Sequence, residues 1–256
     1  MCVTDLYDQA LGHMERTVHG LAQRVPRPVQ MPYKEGFVFR HIEKTLHQAL
    51  VQKLARLVSS LHATRLLMVN GFVQEQAALQ RTLDELQEDI TFLAFAVIFD
   101  CREQLHQDYL DAFFQEEFDA NTALASTQKR PMLPRKKIQA WIARTEGSSL
   151  DPSRGMELSR TISKAYSGYI HAASPHIMDL YGGDPARFHM TGMLGTPRHD
   201  EHRADLWNYF YRGIIAFGFA AKAFGDNKLF DTIHEFTREF ERLSGKNYES
   251  RDWGKI

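Results

Sequence analysis

Five of the twelve histidines in this chain of 256 residues fall in one short window: His171, His176, His189, His199 and His202. Even spacing would place about one or two there. The same window carries SPHIMDLYGGDPARFHMTGMLGTP, rich in glycine and proline but holding Leu180, Tyr181, Phe188, Met190 and Met193 as apolar anchors. Long irregular segments in compact domains are generally functional or disordered. The anchors predict an ordered loop that presents histidines, glycines and Asp184 as one wall of a site. The plainer alternative is a loop that merely packs across the end of a bundle.

Just before this loop, in SRTISKAYSGYIH, the residues Arg160, Lys164, Ser167 and His171 recur at steps of three or four. They share one helix face, opposite Leu158, Ile162 and Tyr169. Ser167 and His171 are spaced as a nucleophile and its base would be. One helical turn does not supply the orienting acid and oxyanion donors that acyl transfer needs. The alternative for His171 is a last-turn histidine that favours the helix dipole. Arg81 and Glu85 form a second i,i+4 pair. They are either a solvated pair worth a few tenths of a kcal/mol or the polar floor of a cleft, because the helix becomes apolar all round from Ile90 onward. The candidate catalytic residues are therefore Arg81, Glu85, Ser167 and His171. The candidate binding residues are His171, Tyr166, His189 and Arg160. One polar cluster of His171 with Arg81 and Glu85 is expected.

Two metal schemes are weaker. Glu103-Gln-Leu-His106 and the looser Asp231-Thr-Ile-His234 imitate the Glu-x-x-His steps of carboxylate-bridged bundles. His199-Asp-Glu-His202 sets two imidazoles one turn apart without a partner motif. Such pairs arise by chance among twelve histidines, and neither a metal nor a cofactor is expected.

The elements that must position these residues read as helices. The first spans about Thr4 or Asp5 to Val25, and PRPVQMPYKEG follows as a connector. A long helix from Phe37 to Asn70 ends at Gly71, placed as a left-handed cap. Another runs from Phe72 to Phe118, with the stripe Phe72, Leu79, Leu83, Leu86, Ile90, Leu93 and Val97; Gln76 fills one gap in it. This stripe is a seam for the preceding helix. After a connector over 120–134 come RKKIQAWIART, a turn at EGSSLDPSRG, and a helix from Met156 to Ala172. Beyond the irregular 173–197 segment, helices run from Asp200 to Phe224 and on to about Leu243. The fold expectation is a single all-α domain over 1–256, a helical bundle built around a long antiparallel hairpin. Its parts are 1–36 (helix and connector), 37–119 (hairpin) and 135–243 (C-terminal helices).

Composition narrows the class. With 43% hydrophobic and 25% charged residues, the chain is neither disordered nor a disulfide scaffold. The net charge of -1 gives no global pull toward nucleic acid or membrane. The longest apolar runs, Phe92–Phe99 and Ile214–Ala221, are short of the ~20 residues a bilayer requires. Asp5 and Asp8 stand where a signal peptide would be basic and then apolar, and the distant Cys2 and Cys101 suit a reducing compartment. A cytoplasmic protein with no membrane partner is expected. Trp207, Phe210, Tyr211, Ile214, Ile215, Phe217 and Phe219 lie on more than one face of their helix, which favours a homodimer that covers them.

RLLMVNGFVQEQAALQRTLDE and AYSGYIH, with the long hairpin, resemble an uncharacterised bacterial all-α family, one of the numbered domains of unknown function. That family shows a small-residue turn, an Arg-x-x-x-Glu on the next helix and a later Ser-x-x-x-His near a helix end. Arg81, Glu85, Ser167 and His171 occupy those positions, and the similarity covers roughly residues 40–175. The family is similar in shape to HEPN domains, which include ribonucleases of defence systems. The resemblance implies a binding or regulatory module linked to defence or stress. The alternative it implies is a metal-independent HEPN-type ribonuclease acting on RNA through His171 or His62. The HEPN spacing of arginine and histidine is met by Arg56 and His62, with Leu57 where that family commonly has a polar residue.

Overall fold

The computed structural model describes residues 3–116, 120, 122, 124–127, 131–145 and 166–245. Of these residues 68% are helical, and the only sheets among them are two short two-stranded hairpins. The fold is an all-α bundle, as the periodicity predicts. Helix α1 (Val3–Ala22) leads into strands β1 (Val29–Tyr33) and β2 (Gly36–Arg40), then α2 (Leu46–Val69) and α3 (Val73–Ile98). Helices α4 (Gln104–Phe114) and α5 (Arg135–Thr145) follow. Helical residues 166–170 form α6. After α7 (Ser174–Met178), β3 (Tyr181–Gly182) and β4 (Arg187–Phe188), the chain ends in α8 (Pro197–Ala223) and α9 (Asn227–Leu243).

Three of the long helices begin where the sequence supplies a side-chain cap, whereas α3 follows Phe72 without one. Thr45 and Gln48 make a reciprocal capping box at α2. Thr196 caps α8, with Pro197 in its first turn, and Asp226 caps α9. The α2–α3 hairpin turns at Gly71, whose φ of +75° is the predicted left-handed conformation. Leu50, Leu54, Leu57 and Leu61 run down the buried face of α2, and Leu83, Ile90 and Leu93 down that of α3. Helix α8 occupies the middle of the bundle, packed on α1, α2, α3 and α9. Phe210 stacks on Tyr7 of α1 at 4.4 Å, and Trp207 lies over Phe240 of α9. The aromatic faces of α8 that favour a homodimer in the sequence are therefore covered within one chain, and that motive for a dimer falls away.

Three boundaries differ from expectation. The connector PRPVQMPYKEG and the first residues of the predicted second helix form the β1–β2 hairpin, paired from Val29↔Arg40 to Tyr33↔Gly36. The predicted 72–118 helix is two helices. At the end of α3, Asp100 takes φ +47°, while Cys101 N–H donates to Ala96 O and Asp100 N–H to Val97 O. This is a Schellman stop in which an aspartate stands in the place glycine usually takes. Within the predicted irregular 173–197 segment lie α7 and the two-residue β3–β4 hairpin. Short helix α5 covers RKKIQAWIART as predicted and is tied to α3 by Arg135, which bridges Glu88 and Asp89. Lys53 of α2 binds the same Asp89 at 2.7 Å.

Candidate functional site

The polar chemistry of the bundle lies along the α3–α8 contact. On α3, Gln76, Gln80, Asp84 and Gln87 follow one another at steps of four, four and three, and all are buried. On α8, His202, Asp205, Tyr209 and Arg212 repeat at three, four and three. Two polar stripes therefore face each other inside an otherwise apolar bundle. Gln76 donates its amide to His202 O at 2.9 Å, and Gln87 donates to Tyr209 O at 3.2 Å. Asp84 accepts from Arg212 Nη1 at 2.7 Å, and the Tyr209 hydroxyl lies 3.4 Å from its other oxygen. Gln80 is fully buried, and neither of its amide atoms has a hydrogen-bond partner among the described residues.

Helix α6 covers one end of this seam with two tyrosines. Tyr166 donates to Asp205 at 3.1 Å and sets its ring against Tyr209. Tyr169 donates to Asp179 at 2.9 Å, lies 3.5 Å from His202 Nε2, and takes the His176 ring edge-on at 4.5 Å. That close approach requires Gly168, since a Cβ there would fall 2.0 Å from the His176 ring. Arg198 closes the cluster by pairing with Asp179 at 2.6 Å and Glu201 at 2.7 Å.

Burial governs the protonation of these groups. It pushes the Asp84 carboxyl above the usual carboxylate range, although Arg212 pulls the other way. It raises the Tyr166 and Tyr209 phenols, assisted by Asp205 and Asp84 respectively, and brings Tyr169 to about 12. It also holds the His202 imidazole below its ordinary value, with Asp205 opposing. The cluster at neutral pH is therefore a set of neutral phenolic donors and a neutral imidazole around paired carboxylates. Such a set recognises polar groups by hydrogen bonding and contains no activated nucleophile.

A pH dependence follows from His202 and from His106, which burial likewise holds low. Between the depressed folded value and about 6.5 the unfolded chain binds more protons than the native chain, so stability rises with pH there. Acidification from about pH 7 to about pH 5 should lower the thermal midpoint. The slope should shrink in His202→Gln, measured by circular dichroism melts across that range. Asp84, with its raised value, acts in the opposite sense: above the ordinary aspartate value the native chain holds the extra proton, so its contribution falls as pH rises there.

The residues singled out by spacing distribute differently. Arg81 and Glu85 pair with each other at 2.8 Å, with side chains 23% and 42% exposed, on the α3 flank beside the seam. His171 is exposed at the end of α6, and its N–H donates to Ser167 O. Ala172 follows at φ +49°, and Ala173 N–H donates to Gly168 O. His171 thus occupies the C-cap of a Schellman turn. Among the described residues no hydrogen bond or ion pair joins His171 to Arg81 or Glu85, and none joins the Ser167 hydroxyl to an imidazole. The expected His171–Arg81–Glu85 cluster does not form there, because the helix ends at His171 and turns its side chain out to solvent. Tyr166 belongs to the seam cluster. His189 is half-buried and bonds Gly182 O at 3.2 Å across the β3–β4 hairpin. Arg160 lies outside the described residues.

The metal spacings have local roles. His106 stacks on Phe92 at 4.2 Å, and its Nδ1 accepts from Glu103 N–H, so Glu103-Gln-Leu-His106 is a helix cap. His199 Nε2 bonds Met68 O at 2.8 Å, holding the start of α8 against the end of α2. His234 lies flat against Phe230. A cavity of about 60 Å³ between α1, α8 and α9, lined by Met14, Phe217, Ile233 and Phe236 among others, is apolar and away from the seam.

Sequence reasoning missed Gln80, Asp84, Asp205, Tyr209 and Arg212, and placed His202 in the histidine-rich window and a metal spacing instead of in a seam with α3. The signal was present as polar residues at three-and-four spacing on two helices, but a polar stripe normally marks the solvent side. Comparison with family models, with curated proteins and with solved structures gives no match.

Proposed function

We propose that the chain is a binding or regulatory module whose recognition surface is the α3–α8 seam under Tyr166 and Tyr169. This keeps the link to defence or stress and the kinship with HEPN-like helical domains that the sequence resemblance implies. The observation that carries it is the buried, partly unsatisfied polar seam, in which Gln80 has no described partner for either amide atom. A buried polar group without a partner costs about 1–3 kcal/mol. A small ligand with an adjacent donor and acceptor would recover that loss, with the neutral phenols orienting it. The experiment is a thermal-shift screen with nucleosides, nucleotides and free amino acids. A hit should raise the midpoint of the parent protein and fail to raise that of Tyr166→Phe or Gln80→Leu.

The ribonuclease alternative stands on a different face. Arg56 and His62 are both exposed on α2. At about 100° per residue they lie about 120° apart around the helix, and His62 Nε2 is engaged by Glu15 at 2.6 Å. The discriminating outcome is cleavage of a mixed RNA pool by purified protein in EDTA. Cleavage lost in His62→Ala or His171→Ala would replace the binding reading with the hydrolase reading.

A further inference from the structure

The cavity between α1, α8 and α9 is apolar inside and polar only at its mouth. Its floor is Ala10, Met14, Ile214 and Phe217, all buried, and Leu229 and Ile233 of α9 form a side wall. At about 60 Å³ it has room for about four to six groups of water or methylene size. A water in such a space needs polar partners, and floor and wall supply no side-chain nitrogen or oxygen. Thr17 and Thr232 stand at the rim, but their hydroxyl protons are spent on their own helices. Thr17 donates to His13 O at 2.9 Å and Thr232 to Lys228 O at 3.0 Å. The interior therefore favours carbon over water.

His13 sets the chemistry of the mouth. Its ring is half-buried and lies 4.8 Å from that of Phe236. Arg16 Nη2 stands 3.2 Å from His13 Nδ1. A guanidinium can only donate, so Nδ1 accepts and the ring proton sits on Nε2. Burial and the Arg16 charge both hold this imidazole below its ordinary pKa, which keeps it in that neutral form at pH 7. Among the described residues Nε2–H has no partner, and it is not closed off from solvent, so a guest can reach it. Arg16 is exposed, gives one N–H to His13, and pairs with no carboxylate among the described residues. The carboxylate that acts on His13 is Glu239, whose side chain is 48% exposed and 3.9 Å from Arg242, so solvent and Arg242 screen it.

We propose that this cavity binds a short aliphatic carboxylate, its carbon tail on Met14, Ile214 and Phe217 and its head group on His13 Nε2–H in the field of Arg16. The site is independent of the α3–α8 seam and of the function proposed for it. A carboxylate is the head group that uses both features of the mouth, a fixed neutral donor and a cation without an anionic partner. The volume sets the tail: a branched chain of about four carbons fills it, whereas a cofactor-sized ligand does not enter.

The test is a titration of isovalerate into protein carrying carbon-13 in its methionine and isoleucine methyl groups, followed by NMR. The Met14, Ile214 and Ile233 methyls should shift saturably, with a Kd on the order of 1 mM for so small a ligand. The Met68 methyl should stay still, since Met68 is bonded to His199, about 22 Å away along α8. Acetate, which has the head without the tail, should leave the floor methyls unmoved. Isovaleramide, equal in shape but uncharged, should bind the parent about threefold to fivefold more weakly than the acid. In Arg16→Gln, an exposed change that keeps the fold, acid and amide should bind alike. Ala10→Leu fills the floor and should abolish the isovalerate shifts; should it fail to fold, the Arg16→Gln comparison still decides. The proposal is overturned if the floor methyls show no saturable shift up to tens of millimolar isovalerate, as a mere packing void would behave. It is equally overturned if acid and amide bind the parent alike, or if binding survives in a folded Ala10→Leu.

Discussion

Replacing Arg212 by methionine should lower the unfolding free energy by about 3 kcal/mol. Asp84 is only 5% exposed, and the Arg212 guanidinium is its one ionic partner among the described residues. Without it the carboxylate is left in a low-dielectric seam, where burial already raises its pKa. Methionine keeps an apolar stem of similar length but also removes the guanidinium that lies 5.4 Å from the Tyr209 ring centroid, so the loss combines the ion pair with that cation–π contact. Asp84→Asn in the Arg212→Met background should restore much of the stability, because a neutral amide still faces the Tyr209 hydroxyl and needs no counter-charge. Denaturant unfolding checks this through a shift in midpoint at constant m. A loss under half a kcal/mol in Arg212→Met would make the pair an ordinary surface contact, since the Arg212 side chain is itself 36% exposed.

The second large effect belongs to the hairpin turn. Gly71→Ala should destabilise by about 3 kcal/mol, from left-handed strain worth about 1–3 kcal/mol together with a backbone collision. A Cβ on Gly71 would stand 2.7 Å from the backbone nitrogens of both Met193 and Leu194. Those atoms cannot swing aside, because Met193 N–H donates to Gly71 O at 2.8 Å. The reciprocal contact is equally tight, a Cβ on Gly192 falling 2.4 Å from Asn70 O. Gly195→Ala is the control: its φ is +77° but nothing lies within 4 Å, so only the strain of about 1 kcal/mol should appear. Equal losses in the two variants would show that the loop does not dock on the turn.

Much of the architecture was legible in the chain. Helix α5, the cap at Gly71 and the last two helices stand close to where periodicity and turn residues put them. These signals are local: an apolar step of three or four and a glycine free to take positive φ act within a few residues, whatever the rest of the chain does. The β1–β2 hairpin was not legible, because Pro28 and Pro32 argue against a strand while the alternation of Val29, Met31 and Tyr33 argues for one. The break after α3 was hidden because its stop residue is Asp100.

The candidate site divides along the same line. Its residue types were in view, and Tyr166, named from the sequence as a candidate binding residue, stands in the seam cluster through its hydrogen bond to Asp205. The Ser167–His171 and Arg81–Glu85 pairs drew attention because i,i+4 spacing guarantees neighbours on one helix. Such spacing says nothing about what lies across from that helix. Asp84 and Arg212 are 128 residues apart, and Gln76 meets His202 only because α8 threads the middle of the bundle. By itself the sequence determined an all-α chain, its punctuation, and a loop rich in histidines. The tertiary structure alone decided that the polar stripes of α3 and α8 face each other and not water, since a helix face acquires its environment from the partner packed on it.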